Sequence, residues 1–105
     1  MSNALWAATV KPGDQAFLFN FVSGKVIGPF QCVSTVDNYI PEAWAGRFPL
    51  QVKIELLSST MQGDGPKGSD LAFLHSKRKP DVLSERQVIA LRHWLDRNGT
   101  FFPSR

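Results

Sequence analysis

Between residues 48 and 57 the chain alternates between apolar and polar side chains. The apolar positions are Leu50, Val52, Ile54 and Leu56, and the polar ones are Gln51, Lys53 and Glu55. Successive side chains of an extended chain point to opposite sides, so a period of two predicts a β-strand with one buried and one exposed face. Such a strand needs neighbours, and the fold must therefore contain a sheet that covers one side of a core.

Two further strands are predicted upstream. Residues 15–22 form a nearly continuous apolar run, which is typical of a strand buried on both faces. Residues 23–25, Ser-Gly-Lys, are predicted to be a short hairpin connection, and residues 26–36 continue as the second strand. The Gly28-Pro29 pair interrupts that strand and predicts a bulge or a sharp bend.

The segments between the predicted strands and the C-terminal part are rich in turn residues. Residues 37–46 are expected to form a loop with one helical turn at residues 41–44, where Pro41 suits the first position of the turn. Residues 58–69 contain several glycines and are predicted to be a mobile loop. Residues 70–75 are predicted to be a short strand.

A helix is predicted over residues 84–98. Ser84 is its expected N-cap, and Gln87, three residues later, completes the spacing of a capping box. Gly99 is expected to end the helix. Its apolar face is predicted to consist of Val88, Leu91 and Leu95, widened by Ile89 and Trp94.

Together these elements predict an α+β fold, a small, partly open, curved β-barrel of about five or six strands with a C-terminal helix. Phe101 and Phe102 are expected to return after the helix as the final strand. The chain has 105 residues, and we expect a single domain over residues 1–105 with a core that needs no disulfide.

The charge of the chain is uneven along its length. Residues 1–66 carry four basic and five acidic side chains, whereas residues 67–105 carry eight basic and four acidic ones. A basic C-terminal third suits contact with phosphate, although a charge of this size is also typical of a solvated surface. No apolar run is long enough for a membrane span and no signal peptide is indicated, so we expect a cytoplasmic protein without membrane contact.

Residues suited to catalysis or metal binding are sparse. Cys32 is the single cysteine and is expected to be a small apolar side chain of a strand. His75 and His93 are isolated, with no cysteine or carboxylate at the spacing of metal ligands. We therefore expect no metal, no cofactor and no enzymatic activity. A carboxylate pair of Asp37 and Glu42 is the alternative that a small hydrolase would use.

Residues suited to binding are more plentiful. Trp6, Tyr39 and Trp44 lie outside the predicted strands and are either core side chains or walls of an aromatic cage. Such a cage stacks a planar base and packs around a methyl group. Residues 77–79, Lys-Arg-Lys, are adjacent cations that cannot all be buried, so they face either water or phosphate.

Several short motifs resemble the YTH branch of the PUA-like superfamily. Residues 6–9, Trp-Ala-Ala-Thr, are similar to the segment that carries the first cage tryptophan of YTH domains. Residues 43–49, Ala-Trp-Ala-Gly-Arg-Phe-Pro, resemble the block that carries another. Tyr39 lies five residues before Trp44, where many YTH domains place a further cage aromatic.

The chain also resembles DCD domains of the same superfamily. Residues 11–14, Lys-Pro-Gly-Asp, and residues 47–52, Arg-Phe-Pro-Leu-Gln-Val, are similar to two DCD patterns. This second resemblance implies a protein-interaction or stress-signalling module. Some other PUA-like relatives hydrolyse amides, which leaves a small hydrolase as the third alternative.

The resemblance to YTH domains implies a nucleic-acid-binding module that recognises a methylated base, above all adenine methylated on its exocyclic amine. Trp6, Tyr39 and Trp44 would form the walls of the base pocket, and Asn20 would offer a polar contact to the base. The implied phosphate-binding residues are Arg47, Lys77, Arg78 and Lys79. The ligand would be single-stranded RNA or DNA, or a base flipped out of a duplex. The domain would work either as part of a larger parent protein or together with a partner subunit.

Overall fold

The computed structural model describes residues 4–20, 22–46, 50–76 and 82–103. These residues form two α-helices, four β-strands and two 3-10 helices. In chain order they are α1 (Ala4–Thr9), β1 (Gln15–Phe19), β2 (Lys25–Cys32), a 3-10 helix (Ala43–Gly46), β3 (Ile54–Asp64), a second 3-10 helix (Ser69–Ser76), α2 (Glu85–Asn98) and β4 (Thr100–Phe101). The sequence did not predict α1.

The four strands form one antiparallel sheet in the order β1-β2-β3-β4. Together with the C-terminal helix this confirms the α+β class. Within the described ranges the sheet is open and has four strands, so the barrel of five or six strands is not shown. The short β4 pairs with the C-terminal part of β3, where Met61 lies opposite Phe101 and Gln62 opposite Thr100.

The β1–β2 hairpin is present, but β1 ends at Phe19 and the turn begins at Asn20, inside the strand predicted at residues 15–22. The side-chain oxygen Oδ1 of Asn20 accepts hydrogen bonds from the backbone N–H groups of Val22 and Ser23, at 2.9 and 3.1 Å. The N–H of Gly24 donates to the carbonyl oxygen of Asn20 at 2.7 Å. An asparagine that bonds the backbone two and three residues ahead closes a turn by itself, so Asn20 ends β1 and starts the return to β2.

The Gly28-Pro29 pair produces the predicted bulge. The pairing of β2 shifts at this point against both neighbouring strands. Gly28 lies opposite Met61 and Phe30 opposite Leu56, so residues 57–60 of β3 stand against Pro29 alone. The result is a coordinated bend in two adjacent strands, which curves the sheet.

Two expectations for the middle of the chain are wrong. The loop predicted at residues 58–69 is strand as far as Asp64. A segment with glycine has little local preference for strand, but here the hydrogen bonds to β2 hold it extended. Of the strand predicted at residues 48–57, residues 48 and 49 lie outside the described residues; in the described part the strand begins at Ile54, and Gln51 makes an isolated bridge to Asp37.

The short strand predicted at residues 70–75 is also wrong, since residues 69–76 form a 3-10 helix. Its repeat of three residues per turn places Leu71 and Leu74 on the same side, and both are buried. In a strand Leu71 and Leu74 would point to opposite faces, so their joint burial against α2 fits the 3-10 helix and not the predicted strand.

The core lies between the sheet, the second 3-10 helix and α2. Its buried members are Val26, Leu71, Leu74, Leu91 and Leu95. On α2 the predicted capping box is present, with the Ser84 hydroxyl accepting from the Gln87 N–H at 3.1 Å. The prediction that Ile89 widens the apolar face is wrong, because Ile89 is half exposed and lies at the edge of the packed surface.

Gly99 ends α2, but not through the left-handed conformation that usually selects glycine there. Its φ is −98° and its N–H donates to the carbonyl oxygen of Leu95. A Cβ on Gly99 would lie 2.7 Å from the carbonyl oxygen of Gln62 and 2.8 Å from that of Leu95. Glycine is therefore required by the close approach of the helix end to β3.

Candidate functional site

A long connection between β2 and β3 is anchored at its base by backbone pairing. The N–H of Val33 donates to the carbonyl oxygen of Lys53 at 2.9 Å, and the N–H of Lys53 donates to the Ser34 hydroxyl at 2.9 Å. Further along, Asp37 and Gln51 exchange two backbone hydrogen bonds of 2.9 Å each. These bonds hold the two arms of the connection side by side. We refer to residues 33–46 and 50–53 as the Tyr39 loop.

The side chain of Gln51 fixes the far part of the Tyr39 loop. Its oxygen accepts the N–H of Ile40 at 2.9 Å, and its amide nitrogen donates to the carbonyl oxygen of Ile40 at 3.0 Å. One side chain thus satisfies both backbone groups of a residue eleven positions away, as a neighbouring strand would do. The backbone immediately after Tyr39 is therefore held in one place.

Tyr39 itself is half-buried, and two contacts orient its ring. Its hydroxyl donates to the carbonyl oxygen of Thr35 at 2.7 Å. The Nζ atom of Lys53 lies 4.6 Å from the centre of the ring, over its face, which is the geometry of a cation–π contact. An aromatic ring with a cation beside it, on a backbone that is held on both sides, can stack a planar group and attract a phosphate.

Trp44 belongs to the 3-10 helix that follows Tyr39 in the same loop. The N–H of Ala43 donates to the carbonyl oxygen of Ile40 at 3.1 Å, which links this turn to the Gln51 contact. Ala45 has a φ of +57°, a left-handed conformation that costs a residue with a Cβ about 1 kcal/mol. Non-glycine residues in this conformation are concentrated at functional sites, so the backbone of this turn supports its choice as part of the candidate site.

The remaining predicted site residues are distributed as follows. Trp6 lies on α1, and the side chains of Trp6 and Trp44 are outside the described part of the structure, so a cage of Trp6, Tyr39 and Trp44 stays a prediction. Asn20 lies in the β1–β2 turn, with its side-chain oxygen bonded to Val22 and Ser23. The four predicted phosphate ligands, Arg47, Lys77, Arg78 and Lys79, fall outside the described residues.

Sequence reasoning missed Lys53 and Gln51 as site residues. Both were assigned to the polar face of a predicted strand, since they alternate with apolar positions. The same alternation places Gln51 and Lys53 on one side of the chain, and this is the sequence feature that could have grouped them in one site. Their specific contacts, with Tyr39 and Ile40, require the two arms of the Tyr39 loop to meet.

Cys32 ends β2 immediately before the Tyr39 loop, and among the described residues it is the group whose pKa is clearly shifted. Burial of the thiol, and to a lesser degree the negative charge of Asp14, raise the pKa of Cys32 above its ordinary value. The side chain is 2 % exposed and the thiol is free. Burial and a raised pKa both make a thiol a weak nucleophile, so Cys32 is a packing residue in this fold.

A second group of polar side chains lines an open groove at the other end of β2 and β3. Lys25 Nζ lies 3.5 Å from the side-chain oxygen of Gln62 and 4.0 Å from a carboxylate oxygen of Asp64. Asn98 and Thr100 complete the lining. Lys25 and Asp64 are 42 % and 74 % exposed, so their ion pair is screened by water and adds little stability.

Among the residues that the structure describes, no group of three His, Cys, Asp or Glu side chains is arranged to hold a metal ion. In the same residues, no helix is long and apolar enough to cross a membrane. Comparison with protein-family models, with curated proteins and with solved structures finds no match to this chain.

Proposed function

We propose that the chain is a non-enzymatic nucleic-acid-binding module in which the Tyr39 loop receives a base, with adenine methylated on its exocyclic amine as the preferred one. The observation that carries the proposal is the arrangement around Tyr39. Its ring is held through the hydroxyl, on a backbone fixed by Gln51, with the ammonium group of Lys53 at 4.6 Å.

Stacking would supply most of the affinity. A base stacked on an aromatic side chain contributes about 1–3 kcal/mol, and this contribution is largest when the ring is already oriented before binding. Because the hydroxyl of Tyr39 is bonded to Thr35 at 2.7 Å, the ring loses little freedom when a base arrives. Trp44, five residues after Tyr39 in the same loop, would form a second wall, as the resemblance to YTH domains implies.

A methyl group would add a smaller preference. Burial of one methyl group contributes roughly 0.8 kcal/mol, which corresponds to about a fourfold difference in affinity. A larger preference requires polar groups that contact the edge of the base; Asn20, bonded within the β1–β2 turn at the opposite end of β2, would not supply them to a base on Tyr39. The partly open PUA-like barrel, a cytoplasmic location and phosphate contacts from Arg47 and residues 77–79 belong to the same proposal.

The test is a titration of the protein into a labelled single-stranded oligonucleotide that carries one N6-methyladenine, beside its unmethylated twin, at two salt concentrations. Fluorescence anisotropy reports the dissociation constants. We expect the methylated strand to bind several-fold more tightly, with affinity falling as salt rises because phosphate contacts release counterions. An RNA and a DNA version of each strand distinguish the two backbones.

Matched variants connect binding to the Tyr39 ring. Tyr39→Leu keeps an apolar side chain but removes the ring, and we expect a loss of about 1–3 kcal/mol in binding free energy. Tyr39→Phe keeps the ring and loses only the bond to Thr35, so it should weaken binding less. Equal affinity for both strands would refute recognition of the methyl group, and unchanged affinity in Tyr39→Leu would refute this site.

A protein-interaction module of the DCD kind is the second candidate, favoured by apolar side chains that the open sheet leaves in water. Leu18 on β1 is 49 % exposed and lies opposite Ile27 on β2. Leu56 on β3 is 51 % exposed. An apolar interface binds its partner with little dependence on salt, whereas phosphate contacts weaken steeply, so the two salt concentrations also separate these candidates.

A further inference from the structure

The backbone of Lys53 is held in place, so its side chain starts from a fixed position near Tyr39. Both backbone groups of Lys53 are bonded, the N–H to the Ser34 hydroxyl and the carbonyl oxygen to the Val33 N–H, at 2.9 Å each. From this position Nζ reaches 4.6 Å from the ring centre of Tyr39, within the distance of about 6 Å at which a cation interacts with an aromatic face.

The charge of Lys53 is not neutralised by an ion pair within the described residues, where the ion pair that forms joins Lys25 and Asp64. Among those residues no ion pair joins Lys53 to Glu55, two residues further on. The positive potential of Lys53 therefore acts directly on whatever occupies the surface around Tyr39. That potential distinguishes ligands by their charge as well as by their shape.

Resting on the proposed function, we infer that Lys53 makes the Tyr39 site selective for neutral bases against cationic ones. Adenine methylated on its exocyclic amine is neutral at neutral pH. A purine methylated on a ring nitrogen, such as 1-methyladenine, carries a positive charge on the base at that pH. Lys53 attracts the phosphate next to either base but repels only the cationic base, so it determines which class of methylated base is accepted.

The expected effect of Lys53 on the affinity for a cationic base follows from the distance between the two charges. A base stacked on the far side of the Tyr39 ring would lie about 8 Å from the Lys53 ammonium, where two like charges repel enough to change affinity by about three- to tenfold. Added salt screens this repulsion, because the Debye length at physiological ionic strength is about 8 Å. The selectivity against cationic bases therefore decreases as salt rises.

The experiment measures dissociation constants of three single-stranded oligonucleotides that differ at one adenine, which is unmodified, N6-methylated or N1-methylated. The proteins are the wild type, Lys53→Gln, Lys53→Arg and Lys25→Gln, the last removing an exposed cation at the opposite end of β2. We expect Lys53→Gln to lower the ratio of N1-methyl to N6-methyl dissociation constants by about three- to tenfold. Lys53→Arg and Lys25→Gln should keep the wild-type ratio.

Comparison between proteins removes effects of the bases themselves, since steric differences between the two methylated adenines are the same for the wild type and for Lys53→Gln. If the strands bind and Lys53→Gln leaves the ratio unchanged, charge selection by Lys53 is refuted while the proposed function stands. If none of the strands binds the wild type at low salt, the proposed function fails and the selection fails with it.

Discussion

The hydroxyl of Thr60 donates a 2.6 Å hydrogen bond to the carbonyl oxygen of Pro29, and the same hydroxyl oxygen accepts the N–H of Leu57 at 2.9 Å. Thr60 is completely buried. Residues 57–60 of β3 stand against Pro29 alone, so this one side chain joins the bulge of β3 to the bend of β2. The curvature of the sheet depends on a buried polar contact.

Replacing Thr60 by valine keeps the shape of the side chain and removes both hydrogen bonds. The carbonyl oxygen of Pro29 and the N–H of Leu57 would lose their partner in the interior, at a cost of about 1–3 kcal/mol. Urea denaturation followed by tryptophan fluorescence measures the free energy of unfolding. Thr60→Ser keeps the hydroxyl and should lose less, and a Thr60→Val protein as stable as Thr60→Ser would contradict this account.

A second prediction concerns the contact between α2 and β3 at Gly63. A Cβ placed on Gly63 would lie 2.6 and 2.8 Å from two ring atoms of Trp94, so Gly63→Ala forces the helix or the ring to move. Overpacking of this kind costs about 1–3 kcal/mol of unfolding free energy.

The double variant Gly63→Ala with Trp94→Leu tests the cause of that loss. The smaller leucine leaves room for the new methyl group, so the effects of the two substitutions should not add. Thermal denaturation followed by circular dichroism gives the coupling. Strictly additive losses would show that Gly63 is required for a reason other than the ring of Trp94.

The sequence predicted those parts of the fold that are determined within a few residues. The capping box joins Ser84 to Gln87, so it was accessible from local spacing, whereas the turn that Asn20 closes was placed three residues too late, at residues 23–25. Gly63 was wrongly assigned to a loop, because its strand conformation depends on distant residues. It pairs with β2 and lies under the ring of Trp94, and the neighbouring sequence indicates neither contact.

In the candidate site, too, local features were predicted from the sequence and long-range contacts were not. Tyr39 was predicted from its position outside the strands and from the resemblance to a known motif. The cation above it was not, because Lys53 is fourteen residues away in the chain and reaches Tyr39 only after the arms of the loop have paired. A contact between distant residues leaves no periodic pattern in the sequence.

A third prediction follows from the raised pKa of Cys32. In the unfolded chain the thiol ionises at its ordinary pKa, so above that pH the unfolded state binds fewer protons than the folded one and the free energy of unfolding falls. The stabilisation is complete below the ordinary pKa and is lost as pH rises towards the folded value. Denaturation at several alkaline pH values should give a steeper decline for the wild type than for Cys32→Ala.

The reactivity of the thiol provides an independent measurement. Because Cys32 is 2 % exposed, iodoacetamide should modify it slowly in the folded protein at neutral pH and quickly in urea. Mass spectrometry follows the modification over time. Equal rates in the two conditions would mean that the end of β2 opens readily, which contradicts its position in the core.

A fourth prediction separates the order of the Tyr39 loop from the stability of the whole domain. Gln51→Leu removes both hydrogen bonds to Ile40 while keeping a side chain of similar length. The loop then loses the contact that holds the backbone after Tyr39, and oligonucleotide affinity should fall several-fold as the cost of ordering it rises.

The global unfolding free energy should change by less in Gln51→Leu than in Thr60→Val, because the lost bonds lie in an exposed connection and not in the core. Hydrogen exchange would show faster exchange confined to the Tyr39 loop. Exchange that increases throughout the sheet would show instead that Gln51 supports the whole fold.

The position of α2 between β3 and β4 has a consequence during protein synthesis. The ribosome adds about 5–20 residues per second from the N-terminus, so β1, β2 and β3 leave it before the helix and the last strand. During that interval the outer edge of β3 near Met61 and Gln62 has no strand beside it, and an open edge of this kind recruits strands from other nascent chains. The two residues of β4, Thr100 and Phe101, thus cover this part of the β3 edge only after the helix has been synthesised.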